Sequence, residues 1–279
     1  MIIDIHTHIF PSDIRLNREN FFPSEPAFKL LYQSPKSRLV SGPELINAMD
    51  QNRVERSVIF GFPWSDIQLA KTHNDYILEM VQKYPDRFTG LGCFDPASTG
   101  AAAEAQRCLE GGLSGIGELA FYQAGIDESA LDLLEPVMDL CEQRSLPVLI
   151  HTNEPVGHDY HGKTPITLSQ IYSLIKRYTA NNIILAHWGG GLFFYAMMKK
   201  DVKESLKNVY FDTAASPYLY DSEIYQLAAK FVGIDKILLG SDYPLLAPEK
   251  YFSEMQQAGL AQSQIDKICG LNAKRLFNL

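Results

Sequence analysis

The chain has 279 residues, 46% of them hydrophobic and 21% charged, with a formal net charge of −8. That composition allows a large core and excludes a disordered chain. The acidic balance argues against a basic nucleic-acid groove, because phosphate binding needs clustered Lys and Arg. No apolar run approaches the roughly 20 residues that span a bilayer, so no membrane partner is expected.

The first predicted strand covers residues 2–6. Asp4 follows the apolar Met1-Ile2-Ile3 at once, so no secretory leader is expected and the protein reads as cytoplasmic. A long connection, 11–42, carries Pro23, Pro26 and Pro35 among Phe21, Phe22 and Phe28. A helix over 43–52 opens on Pro43. Strand 56–60 leads to helix 67–83, which stops before Tyr84-Pro85. Strand 88–94 leads to the Ala-rich helix 101–109, ended by Gly111-Gly112, and strand 115–119 to helix 130–144. Strand 147–151 precedes a second long connection, 152–165, with His158, His161 and Lys163. Helix 168–178, strand 183–187, helix 193–207, strand 209–212, helix 222–231 and strand 237–239 follow. Helices 249–257 and 262–276 close the chain. The strands are mostly apolar without alternation, as in parallel strands covered on both faces. Cys93, Cys108, Cys141 and Cys269 form no CxxC pair and read as buried thiols in a reducing compartment.

Eight strands alternating with helices in this length predict an α/β fold, a closed (β/α)8 TIM barrel in a single domain over 1–279. An open doubly wound sheet is the competing architecture. Both long connections leave the C-terminal ends of strands, where barrels build their active sites. They are candidate binding loops or lids.

The chemistry sits at those strand ends. Alternation puts His6 and His8 on one face of the first strand. Glu118 lies near the end of the fourth, His151 ends the fifth, His187 ends the sixth, and the eighth runs into Ser241-Asp242. In a closed barrel these ends converge on one cavity. Histidines plus a carboxylate suit zinc above all, and also manganese or iron. His6, His8, His151 and Asp242 are the expected metal residues. His187 is a ligand or a proton carrier. Trp64, Trp188, His158 and Lys163 are softer candidates for substrate binding, and Gly189-Gly190-Gly191 for holding an anion on backbone N–H groups.

Four segments together make a pattern: Asp4-Ile5-His6-Thr7-His8, Pro147-Val148-Leu149-Ile150-His151, Ala186-His187-Trp188-Gly189-Gly190 and Leu239-Gly240-Ser241-Asp242-Tyr243-Pro244. With them the chain resembles the amidohydrolase superfamily, in the amidohydrolase-related branch that includes aminocarboxymuconate-semialdehyde decarboxylase. The resemblance runs from the first strand to the eighth. It implies one divalent metal surrounded by His6, His8, His151 and Asp242, with His187 beside a metal-bound water as acid or base. The fourth strand departs from it. Many members carry a Lys there, whereas this chain reads Gly115-Ile116-Gly117-Glu118-Leu119. Glu118 looks like a bridging carboxylate, which leaves one or two ions open.

The leading expectation is a hydrolase that uses metal-activated water on an amide, lactone or ester of a small carboxylic acid. Asp242 and His187 are its expected catalytic residues. The alternative is a metal-dependent non-oxidative decarboxylase of an aromatic or unsaturated acid. A non-catalytic metal- or ligand-binding protein is a third reading. The expected partner is a small-molecule substrate, with no nucleic acid, and a homo-oligomer is left open.

Overall fold

The computed structural model describes residues 1–123, 125–198 and 200–279. Strands β1 (Ile3–His8), β2 (Arg56–Phe60) and β3 (Phe88–Gly90) pair in that order. Strands β4 (Ile116–Leu119), β5 (Val148–Ile150), β6 (Ile183–Leu185), β7 (Val209–Asp212) and β8 (Ile237–Leu238) form a second parallel run. Two seams join the runs. Gly92 bridges Ile116, and Thr7 bridges Tyr243. At the second seam the Ile5 N–H donates to the Leu239 carbonyl at 2.8 Å and the Asp242 N–H to the His6 carbonyl at 3.0 Å. The sheet therefore closes as the (β/α)8 barrel that alternation predicts.

Helices cover the barrel because their apolar residues recur at helical spacing. In Leu168–Arg177, Ile171, Leu174 and Ile175 are buried, and the Thr167 side chain caps the first turn. Asp66 and Asp127 cap the helices Ile67–Lys83 and Glu128–Gln143 in the same way. Outward strand residues such as Ile59, Ile116, Val148 and Leu185 pack under the helices. Inward ones, including Ile3, Ile5, Val58, Leu91, Leu149, Ile184 and Leu238, fill the barrel with Leu276 and Phe277 of the last helix.

Two bulges adjust this alternation at the cavity. Asp4 to Thr7 on β1, four residues, lies opposite three on β2, Ser57 to Ile59. Ile116 to Leu119 on β4 likewise faces Val148 to Ile150 on β5. One extra residue reverses the phase of a strand. So Ile3 and Ile5 point inward, and yet His6 and His8 beyond the bulge also turn to the cavity.

Three expectations about elements are corrected. The first long connection contains helices, Ser12–Leu16 and Pro26–Tyr32, with a 3-10 turn Arg18–Phe21 between them; Pro26 sits in a first turn, where its missing N–H costs nothing. Residues 193–207 are not one helix. Among the described residues, 3-10 turns occupy His187–Met197, an α-helix occupies Lys200–Ser205 and a 3-10 turn occupies Leu206–Asn208. The cause is a run of left-handed backbone from Trp188 to Gly191; at Gly190 a Cβ would meet the Asn153 carbonyl oxygen at 2.3 Å. The glycines thus make a turn and let another backbone approach. The final helix breaks into Gln262–Asp266, a π turn Lys267–Leu271 and Asn272–Phe277. No helix among the described residues is long and apolar enough to cross a membrane.

Candidate metal centre and active site

Six buried or nearly buried side chains meet at the C-terminal mouth. His6 and His8 come from β1 and Glu118 from β4. His151, His187 and Asp242 lie just beyond β5, β6 and β8. The backbone at His187 and Asp242 is left-handed, with φ of 54° and 59°. Each such residue costs about 1–3 kcal/mol, and such costs cluster where a side chain must be aimed.

The donor atoms gather in two groups around the two oxygens of Glu118, and the His187 donor also lies within 4.8 Å of those of His6 and Asp242. In the first, His6 Nε2 lies 3.7 Å from Glu118 Oε2 and 3.6 Å from Asp242 Oδ1. His8 Nε2 lies 3.9 Å from Glu118 Oε2 and 3.4 Å from Asp242 Oδ1. In the second, His151 Nδ1 lies 3.0 Å and His187 Nε2 3.7 Å from Glu118 Oε1. Most of these gaps are too long for hydrogen bonds. They suit ligands of one ion, since metal bonds of about 2.0–2.2 Å hold tetrahedral donors about 3.4 Å apart. His6 Nε2 is buried without a hydrogen-bond partner among the described residues. A buried nitrogen facing two carboxylates fits a cation better than any contact it makes.

Each ring is anchored from behind. His6 Nδ1 lies 2.8 Å from Asp212 Oδ2, and His8 Nδ1 3.0 Å from the Gly61 carbonyl. His187 Nδ1 lies 3.0 Å from the Ala214 carbonyl. Because these partners accept, each Nδ1 carries the hydrogen and Nε2 faces the cavity. His151 differs. Its Nδ1 meets Glu118, and its Nε2 lies 3.1 Å from the Gly162 carbonyl.

The local field favours positive charge. Burial pulls the His6 pKa down, but the charges of Glu118, Asp212 and Asp242 outweigh it and push the ring up to about 10. His187 is raised in the same way: burial opposes, while Glu118 and Asp242 prevail. Burial would raise both acids, yet the surrounding histidines hold Glu118 well below the usual carboxylate range and Asp242 below it. A field that favours positive charge on these rings and ionised acids beside them also favours a divalent cation among them.

The centre opens into a cavity of about 390 Å³ walled by Tyr32, Phe62, Tyr122, Pro244 and Leu245, with Lys36 and Arg38 at one side. Tyr122 stacks over Phe62 and over His151, each with ring centroids 6.3 Å apart. Burial and the nearby acid charges push the Tyr32 and Tyr122 hydroxyls up, so both stay neutral phenols.

The softer candidates lie elsewhere. Trp64 is fully buried behind the wall, where its indole N–H donates to His73 Nδ1 at 2.9 Å. Trp188 is equally buried and donates to Ser216 Oγ at 3.0 Å. Neither lines the cavity, because each ring packs in the layer outside the strands. His158 and His161 are exposed. Lys163 pairs with Glu154 at 3.1 Å and faces a neighbouring cavity instead. Sequence reasoning missed Asp212, which looks like any strand-end acid. It also missed Lys36 and Arg38, whose signal was available: they are a basic pair in the loop that follows His8.

With this geometry in view, comparison with known proteins places the chain. The family model described as "Amidohydrolase" matches residues 3–279. The chain belongs to the amidohydrolase family, in the branch of aminocarboxymuconate-semialdehyde decarboxylase-like barrels. It is 25% identical to 2-amino-3-carboxymuconate-6-semialdehyde decarboxylase of Dictyostelium discoideum, over 98% of this chain and 92% of that protein. It is 24% identical to gamma-resorcylate decarboxylase of Polaromonas sp., over 76% of this chain and 77% of that one. Among solved structures, 5-carboxyvanillate decarboxylase of Sphingomonas paucimobilis superposes with a TM-score of 0.76 at 19% identity, covering 100% and 99% of the two chains. These relatives are decarboxylases, and they overturn the expectation that hydrolysis comes first.

Proposed function

We propose that the chain is a metal-dependent non-oxidative decarboxylase, a lyase, acting on an aromatic or unsaturated carboxylic acid. The observation that carries the reading is the pairing of a buried histidine–carboxylate cage with an aromatic-walled cavity that also offers cations. Planar acids fit such walls. Lys36 and Arg38 suit an anionic group of the substrate. The activities of the relatives point the same way.

His6, His8, Asp242 and Glu118 Oε2 would hold one divalent ion. Two nitrogens and two oxygens suit manganese as well as zinc, and a related decarboxylase from Polaromonas sp. was solved with bound manganese. When bound, the ion supplies Lewis acidity that offsets negative charge on the substrate's oxygens. The remaining chemistry belongs to side chains. Decarboxylation breaks one C–C bond, releases CO2, and leaves an electron pair on carbon that must take a proton. His187, whose Nε2 faces the cavity while Nδ1 is tied to Ala214, is the proposed proton donor to that carbon. The negative charge of Glu118, whose Oε1 lies 3.7 Å from His187 Nε2, favours the protonated ring. Tyr32, Phe62 and Tyr122 orient the ring and keep water away.

The test is a panel of hydroxybenzoates and unsaturated dicarboxylic acids offered to manganese- or zinc-loaded protein. The expected result is CO2 release equal to acid consumed, lost on chelation and restored by metal. Ring opening or amine release without CO2, or no turnover across the panel, would refute the assignment.

A further inference from the structure

The last residue of the seventh strand touches two of the residues that build the centre. Asp212 is fully buried. Its Oδ2 lies 2.8 Å from His6 Nδ1. Its Oδ1 accepts from the His187 N–H at 2.8 Å and from the Ala214 N–H at 3.0 Å. One carboxylate therefore takes three N–H groups. We propose that Asp212 is a positioning residue that fixes the His6 tautomer and, through it, the metal affinity of the site.

A carboxylate only accepts, so the hydrogen of the His6 ring resides on Nδ1 and the lone pair on Nε2. That Nε2 is the buried nitrogen left without a partner, and it faces Glu118 and Asp242. The rings of His8 and His187 are anchored on neutral carbonyls. His6 alone of these three is anchored on an anion, which makes its ring a stronger base toward a cation. The fold keeps room for the pair. Gly240 packs against it, and a Cβ there would meet His6 Cβ at 2.8 Å and Asp212 Cβ at 3.3 Å. The same carboxylate holds the His187 N–H where that backbone is left-handed, so the metal half and the proton half of the site share one support.

An amide cannot replace it. Asn at this position has the same shape but offers one acceptor oxygen and one donor nitrogen. Either rotamer sets N–H against N–H, at His6 or at His187 and Ala214. The proposal rests on the metal reading of the cage, and the experiment separates the two. Zn(II) affinity of the full chain is measured by competition with a chromophoric chelator, for the parent and for Asp212→Asn. The Co(II) absorption spectrum reports ligand geometry. The expected result is folded Asp212→Asn protein with 10–100-fold weaker Zn(II) binding and an altered Co(II) spectrum. Equal affinity and an unchanged spectrum would overturn the proposal while leaving the metal site standing. A parent that binds no divalent ion would overturn both. Should Asp212→Asn fail to fold, 15N spectra of the Zn(II)-loaded parent decide instead. A hydrogen on His6 Nδ1 supports the proposal, and a metal bond at Nδ1 overturns it.

Discussion

His187 and Glu118 decide what kind of centre this is, because each is shared between two tasks. Glu118 turns one oxygen to His6 and His8 and the other to His151 and His187. If only the first half holds an ion, His187 remains free to carry a proton. If both halves do, it becomes a ligand. The one-ion reading makes the two substitutions behave differently. His187→Asn should keep most of the metal and lower kcat by about 10²–10⁴, the usual worth of a proton donor. Glu118→Gln removes charge from the cage itself and should weaken metal binding as well as turnover. Elemental analysis beside kcat on the same preparations gives the answer. Two ions per parent chain, or metal loss in His187→Asn that parallels the activity loss, would move His187 into the ligand set.

At the scale of elements, the helix Ile67–Lys83 braces the strand that carries the first two histidines. Its His73 is buried and reaches the Ile9 carbonyl with Nε2 at 2.7 Å, while Nδ1 accepts from the Trp64 indole. Burial pushes the ring down to about 4 from an ordinary 6.5. The sign follows from linkage. Above pH 6.5 the ring is neutral folded or unfolded, and stability is intact. As the pH falls from 6.5 to 4 the unfolded chain takes a proton that the folded chain refuses, so stability falls, by about 3 kcal/mol in the limit. His73→Gln keeps a donor and an acceptor but does not titrate. Urea unfolding of metal-stripped protein should show the parent losing more stability than this variant between pH 7 and pH 4.5; parallel losses would dismiss His73 as the cause. Elements also mark where the sequence was readable. Apolar runs and turn residues located all eight strands, and hence the strand ends near which His6, Glu118, His151, His187 and Asp242 stand. The bulges in β1 and β4 and the left-handed turns at His187 and Asp242 were not readable, because pairing across the barrel and crowding by distant backbone create them. His151, expected in one set with His6 and His8, meets the other oxygen of Glu118.

The molecule as a whole separates its chemistry from its foundations. The metal cage and cavity stand at the C-terminal ends of the strands, and the chain closes on itself at the opposite end. There the Asn272 side chain donates to the Ile234 and Ile237 carbonyls at 2.9 and 2.8 Å. Ala273, Leu276 and Phe277 pack on the inner cluster of Ile3, Ile5 and Leu238. This last helix is short, so its stability comes from that burial rather than from its own hydrogen bonds. Residues at this end of a barrel hold the fold, and those at the other end react. Phe277→Ala should therefore cost about 3 kcal/mol through lost burial and the cavity left behind. The urea midpoint should fall accordingly. Metal affinity and kcat/KM, measured well below the unfolding transition, should stay within about two-fold of the parent, since distant sites contribute independently. If metal affinity fell together with stability, the two ends would be coupled through β1, whose Ile3 and Ile5 reach the inner cluster while His6 and His8 reach the cage.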